Sequence, residues 1–207
     1  MGIHTDMIRV ATATPALRVA DPAWNAERII DIAAECSRQS VQLLVLPELA
    51  LSGYTCADLF MQDTLLLGCE SALGRLIDAS QNSSMIVLVG LPLRVNDQLF
   101  NCAAVIQNGL LLGAVPKQHL PNTAEFSEQR WFTPGSVLGR GARERMLCGQ
   151  LVSIGQQLFV ADLVADESAE AVSSFTFGIE ICEDLWAPHP PSTDLALAGA
   201  TLICNLS

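Results

Sequence analysis

The chain has 207 residues, 50% of them hydrophobic and 16% charged, with a formal net charge of −11. That length suits one domain with a sizeable core, and the acidic balance, with a pI near 4.5, argues against a nucleic-acid partner. Mean hydropathy is +0.36, yet the longest apolar runs, 41–46 and 85–93, are far too short to cross a membrane, so they read as strands buried on both faces and no membrane partner is expected.

The opening MGIHTDMIRV lacks the basic-then-apolar layout of a signal peptide, and Asp6 departs from the myristoylation pattern, so a cytoplasmic location is expected. Residues 7–14 read as a first strand ended by Pro15. Asp21 and Pro22 supply an N-cap and a first helical residue, and an apolar face (Ile29, Ile30, Ile32, Ala33, Cys36) continues the helix. Residues 41–46 are a strand closed by Pro47, and 56–80 are helical in two pieces with Leu65, Leu66, Leu73, Leu76 and Ile77 inward. This β-α-β-α opening implies parallel strands. Strands over 85–95, 99–106 and 110–115 follow, joined at Asn96-Asp97 and Asn108-Gly109, so the sheet is predicted to become an antiparallel meander.

Residues 117–150 read as a long functional loop, and 162–170 as a solvated acidic one. Short strands are predicted at 151–154 and 159–160. An alternating strand over 175–181 then ends at Cys182, Ser192 is expected to cap a short helix, and 201–205 is a last strand. The stop two residues after Asn205 suggests a C-terminally incomplete domain over 1–207. Seven cysteines (Cys36, Cys56, Cys69, Cys102, Cys148, Cys182, Cys204) form no C-x-x-C pair and read as reduced thiols; His4, His119 and His189 show no ligand spacing, so no metal is expected.

Three positions place a reactive side chain at the end of an apolar strand: Glu48, Lys117 and Cys182. Singly, each has a plain structural reading, as a loop cap, a surface charge and a small core residue. Converging in one pocket, they would attack an amide. Glu48 would take the thiol proton, the Cys182 thiolate would attack a carbonyl carbon, and the Lys117 ammonium would stabilise the oxyanion, with backbone N–H groups past Cys182 adding to that hole.

In the contexts LPEL, VPKQHLPN and EICEDLW, the order Glu48, Lys117, Cys182 resembles the nitrilase (carbon–nitrogen hydrolase) superfamily. The longer words LPELALSGYTCADLF, LFNCAAVIQNG, EFSEQRWFTPG and EICEDLWAPHPPS narrow it, resembling the N-terminal glutaminase domains of glutamine-dependent NAD synthetases from Val10 to Ser207. The resemblance implies an α/β fold, a nitrilase-like α-β-β-α sandwich with mixed sheets, here lacking its last elements. It implies hydrolysis of L-glutamine through a Cys182 thioester, with Glu48 as base, Lys117 as stabiliser and Glu125 as a second glutamate orienting Lys117. Thr123 and Glu183 become substrate-binding candidates.

The resemblance also implies that ammonia passes to an NAD synthetase domain or subunit that amidates deamido-NAD, so the chain would serve NAD biosynthesis. No cofactor is expected in this domain, ATP and Mg belonging to the absent synthetase domain, and self-association into a homo-oligomer is expected. Two departures stand out. Thr123 occupies the position after LPN where the family usually has tyrosine, and the family's contacts to the glutamine α-carboxylate and α-amine lie beyond Ser207. Poor turnover by these residues alone is the expectation, since remote contacts help drive chemistry at the reacting centre. The alternatives are a stand-alone nitrilase-type amidase on another small amide, and a non-catalytic assembly domain.

Overall fold

The computed structural model describes residues 7–139, 143–163 and 173–207. Strands β1 (Val10–Thr12), β2 (Leu43–Val45) and β3 (Ile86–Val95) run parallel because a helix returns the chain between each pair, α1 (Pro22–Arg38) and then α2 (Asp63–Ala79). The predicted start of α1 is present: Asp21 accepts from the Trp24 N–H at 3.1 Å, with Pro22 in the first turn. A 3₁₀ turn, Ala57–Met61, precedes α2, so the stretch 56–80 is helical in two pieces. β1 and β2 are shorter than their apolar runs suggest.

β3, β4 (Gln98–Gln107) and β5 (Leu110–Pro116) form the antiparallel meander. Both tight turns have left-handed backbone at their two central residues: φ is 48° and 63° at Asn96 and Asp97, and 48° and 75° at Asn108 and Gly109. That type I′ geometry matches the twist of the flanking strands. The loop expected over 117–150 is shorter than predicted, because β6 (Arg143–Leu147) lies inside it and pairs with β7 (Gln150–Ile154). Its charged residues Arg143, Glu144 and Arg145 read as loop. Its turn, Cys148 (φ 51°) and Gly149 (φ 75°), has the same left-handed pair with a thiol where asparagine would give the sequence signal.

β8 (Phe159–Leu163), β9 (Ser173–Ile181), α3 (Pro191–Leu197) and β10 (Leu202–Leu206) complete the chain. Asp162 therefore lies in a strand, and the rest of the predicted acidic loop, from 164, falls outside the described residues up to 172. Ser192 does not cap α3. The helix begins two residues earlier, at Pro191 after Pro190, and the Ser192 N–H donates to the Glu180 carboxylate at 3.1 Å.

Among the described residues, the strands sort into two mixed sheets. Seven strands run in the order β1-β2-β3-β4-β5-β7-β6, and three in the order β10-β9-β8. One core lies between the helices and the larger sheet, where alternate residues of β3 (Val87, Val89, Leu91) meet α1 and α2 residues such as Ile29, Leu66 and Leu73. A second core lies between the sheets: Leu43, Leu88, Ala103, Val105 and Val115 from one side, Phe177, Ile179, Ile181 and Leu206 from the other. On the outer face of the small sheet α3 packs so closely that a Cβ on Gly178 would come within 2.8 Å of the Leu195 side chain. Helices, sheet, sheet and helix thus stack as the expected α-β-β-α sandwich. β5 is antiparallel to β4 and β4 to β3, so β2, β3 and β5 all end at the same edge of the larger sheet.

Candidate active site

Three strand ends meet at that edge. Glu48 follows β2 in a turn whose next residue, Leu49, has a φ of 52°; Lys117 follows β5 directly; Cys182 follows β9 with a φ of 45°. Left-handed backbone is costly for residues with a Cβ and persists where the surroundings over-determine it. The surroundings do so at Leu49: β3 runs so near that a Cβ on Gly90 would lie 2.2 Å from the Leu49 nitrogen. Gly90 therefore lets the Glu48 turn lie on β3.

Lys117 is 1% exposed, and an unpaired ammonium at that depth would be strongly disfavoured. It has two carboxylate partners: its Nζ lies 2.5 Å from Glu48 Oε1 and 2.8 Å from Glu128 Oε1. Asn101, in the middle of β4, donates its side-chain N–H to Glu48 Oε1 at 2.6 Å and accepts the Lys117 backbone N–H at 2.8 Å through its own carbonyl. Tyr54 donates its hydroxyl to Glu128 Oε1 at 2.7 Å. The Glu128 segment is in turn held by Asp58, which accepts two bonds from the Arg130 guanidinium and one from the Trp131 indole N–H.

Electrostatics follow from burial and these pairs. Burial pushes the Lys117 ammonium toward losing its proton, but Glu48 and Glu128 more than offset that, leaving its pKa raised. Glu48 is also raised, first by burial and then by the Glu128 charge, against the opposing pull of Lys117. The Cys182 thiol, half-buried and in hydrogen-bond contact with Glu48 and Ser207, is raised by desolvation and by the Glu48 carboxylate, while Lys117 acts to lower it. The resting arrangement is thus a thiol beside a carboxylate of heightened proton affinity, with a fixed ammonium on the other side. Such a set can move the thiol proton onto Glu48 as sulfur attacks carbon, and can hold a developing oxyanion.

The structure brings Glu48, Lys117 and Cys182 together as the sequence led one to expect. The second carboxylate is a different residue from the one expected: Glu125 is exposed, and the contact foreseen for it is made by Glu128, which is 2% exposed. The short 3₁₀ turn Glu128–Arg130, followed by the buried Phe132, turns Glu128 inward and leaves Glu125 exposed in the segment before it. Thr123 is exposed, with its carbonyl accepting the Phe126 N–H at 3.0 Å. Glu183 is half-buried within the nucleophile turn and lines an open groove with Gln118, His119, Gln129, Trp186 and His189. Sequence reasoning missed Glu128, Asn101 and Tyr54. An isolated amide in the apolar run LFNCAAVI and the chain's one tyrosine were the available signals. Among the described residues there is no group of three or more His, Cys, Asp or Glu placed to hold a metal, and no helix is long and apolar enough to cross a membrane.

A family model described as carbon-nitrogen hydrolase matches residues 9–207. The chain is 40% identical over 201 residues to a glutamine-dependent NAD(+) synthetase of Mycobacterium tuberculosis, covering 97% of this chain and 28% of that protein. The same is found at 33% identity with a glutamine-dependent NAD(+) synthetase of Aquifex aeolicus, where the chain covers 30% of the relative. The chain thus spans less than a third of the length of these relatives. Among solved structures, a glutamine-dependent NAD(+) synthetase from Cytophaga hutchinsonii superposes with a TM-score of 0.78 at 28% identity, over 97% of this chain and 30% of that one. An amidase from Nesterenkonia sp. shares the fold, with a TM-score of 0.68 at 22% identity, over 96% of this chain and 64% of that one.

Proposed function

The chain belongs to the carbon–nitrogen hydrolase family, and from that premise we propose that it is a glutaminase module acting through Cys182. One observation carries the reading: a wholly buried lysine is held between two carboxylates, one of which also contacts the thiol at the end of β9. Glu48 takes the Cys182 proton as sulfur attacks the side-chain amide carbon of L-glutamine. The oxyanion faces the Lys117 ammonium. Collapse of the tetrahedral intermediate breaks the C–N bond, and the proton on Glu48 leaves with ammonia. Water, giving its proton to Glu48, then attacks the thioester; glutamate departs and the thiol recovers its proton. Glu128 holds Lys117 in place and charged, and Glu183, beside the nucleophile, is suited to meet the α-ammonium of the substrate.

The relatives are glutamine-dependent NAD(+) synthetases, which supports a partner that consumes the ammonia: a synthetase domain or subunit amidating deamido-NAD. This hydrolysis takes proton transfer and charge stabilisation from side chains and calls on no cofactor; ATP and Mg would serve the synthetase step. A cytoplasmic setting and self-association complete the proposal. The test is ammonia release from L-glutamine set against a panel of other ω-amides, with Cys182→Ala as control. Preferential release from glutamine that Cys182→Ala abolishes is expected. Equal or better turnover of other amides would replace glutamine as substrate, and Cys182-independent release would overturn the mechanism.

A further inference from the structure

The nucleophile and the ammonium stand on different sheets: Cys182 follows β9 of the small sheet, and Lys117 follows β5 of the large one. Within the nucleophile's own turn, Cys182 alone packs against the apolar core between the sheets. In the 3₁₀ turn Cys182–Trp186, Leu185 and Trp186 are exposed, and Asp184 is the buried residue, at 1% exposure. Its carboxylate accepts three backbone N–H groups. Oδ2 takes that of Ile181, the residue before the nucleophile, at 2.9 Å. Oδ1 takes those of Gln118 and His119, the two residues after Lys117, at 3.0 and 2.7 Å.

We propose that Asp184 is a positioning residue that sets the distance between the Cys182 thiol and the Lys117 ammonium by binding the backbone on both sides of the gap between the sheets. The inference rests on the proposed hydrolysis and names what aligns it. The chemistry of the bridge is specific. Two oxygens of one carboxylate accept all three donors, and no neutral side chain of that size supplies acceptors in both directions. An asparagine would keep one acceptor oxygen and turn its amide N–H groups against the donor on the other side. The two halves of the site would then separate by a fraction of an ångström or more, while each sheet kept its own strand pairing. Misplacement by about 1 Å costs on the order of a hundredfold in rate.

The experiment uses Asp184→Asn, with Asp184→Glu as a second variant that keeps the charge and lengthens the reach by one methylene. Sites are first counted by covalent titration of Cys182 with the glutamine-like electrophile diazo-oxo-norleucine, so that loss of folded protein is separated from loss of rate. Expected is a fall of roughly 10- to 100-fold in kcat per titrated site, with KM within about threefold, because the defect lies at the reacting centre. Alkylation of Cys182 by iodoacetamide, followed by peptide mass spectrometry, is read in parallel and is expected to be slower in the variants, since the thiolate loses its ammonium neighbour. A wild-type kcat per site together with a wild-type alkylation rate, in whichever variant folds, would overturn the proposal and leave Asp184 a purely stabilising residue. If the wild-type protein releases no ammonia from glutamine, the functional reading fails, and the alkylation rates alone decide the positioning role.

Discussion

Glu128 and Glu125 stand three residues apart in EFSEQRWF, and only one of them touches Lys117. Glu125→Ala is expected to keep wild-type turnover and a melting temperature shift equivalent to less than about 0.5 kcal/mol, as surface substitutions do. Glu128→Gln is expected to lower kcat by about 10²-fold or more, the scale of losing an electrostatic stabiliser. A pH-rate profile separates the roles further. Glu48 must be ionised to take a proton, and its pKa is raised by burial and by Glu128, so kcat/KM should fall on the acid side through a value above the ordinary carboxylate range. With the Glu128 charge removed, the acid limb of the residual activity should move to lower pH. Of this site, the sequence made legible the three residues at the ends of apolar strands, because strand alternation and a terminal reactive group are local signals. The choice between two glutamates depended on which way a 3₁₀ turn rotates. That rotation is set by Phe132 entering the core and by the Asp58–Arg130 pair, 72 residues apart, and neither is visible locally.

At the scale of elements, the turns between β3, β4 and β5 were readable because Asn and Gly announce left-handed backbone, whereas Cys148-Gly149 adopts the same geometry unannounced. β6 was hidden for that reason. Ser192 misled in the opposite sense: a residue fit for an N-cap sits inside α3, where its N–H is used by the buried Glu180. Gly90 shows how one element carries another's chemistry. Since a Cβ there would lie 2.2 Å from the Leu49 nitrogen and 2.6 Å from the Pro47 carbonyl oxygen, Gly90→Ala must lift the Glu48 turn off β3. The expected cost is about 1–3 kcal/mol by thermal or denaturant unfolding, the usual range for overpacking. Turnover should fall by more than the loss of folded protein explains, because the displaced group is the base. Activity per folded molecule, from melting curves and kinetics on the same sample, checks this.

Over the whole molecule, the sandwich was legible from the family resemblance, while strand patterns alone suggested one mixed sheet. Nothing local tells a chain that β8, β9 and β10 will leave the first sheet and face it. The decision belongs to Phe177, Ile179, Ile181 and Leu206, whose side chains fill the space against Leu88, Ala103 and Val105. Phe177, fully buried and stacked on Phe159 with ring centroids 5.3 Å apart, is the largest of these. Phe177→Ala is expected to cost about 3–5 kcal/mol in equilibrium unfolding. The second core has a further consequence for the chemistry. Glu48 and Lys117 travel with one sheet and Cys182 with the other, so a slide of the sheets past each other spoils the thiol's alignment before any strand hydrogen bond breaks. Catalytic rate then works as a gauge of shear within the sandwich. In a urea titration followed by both turnover and far-UV circular dichroism, the rate should fade at lower urea than the secondary structure, and Phe177→Ala should widen that gap.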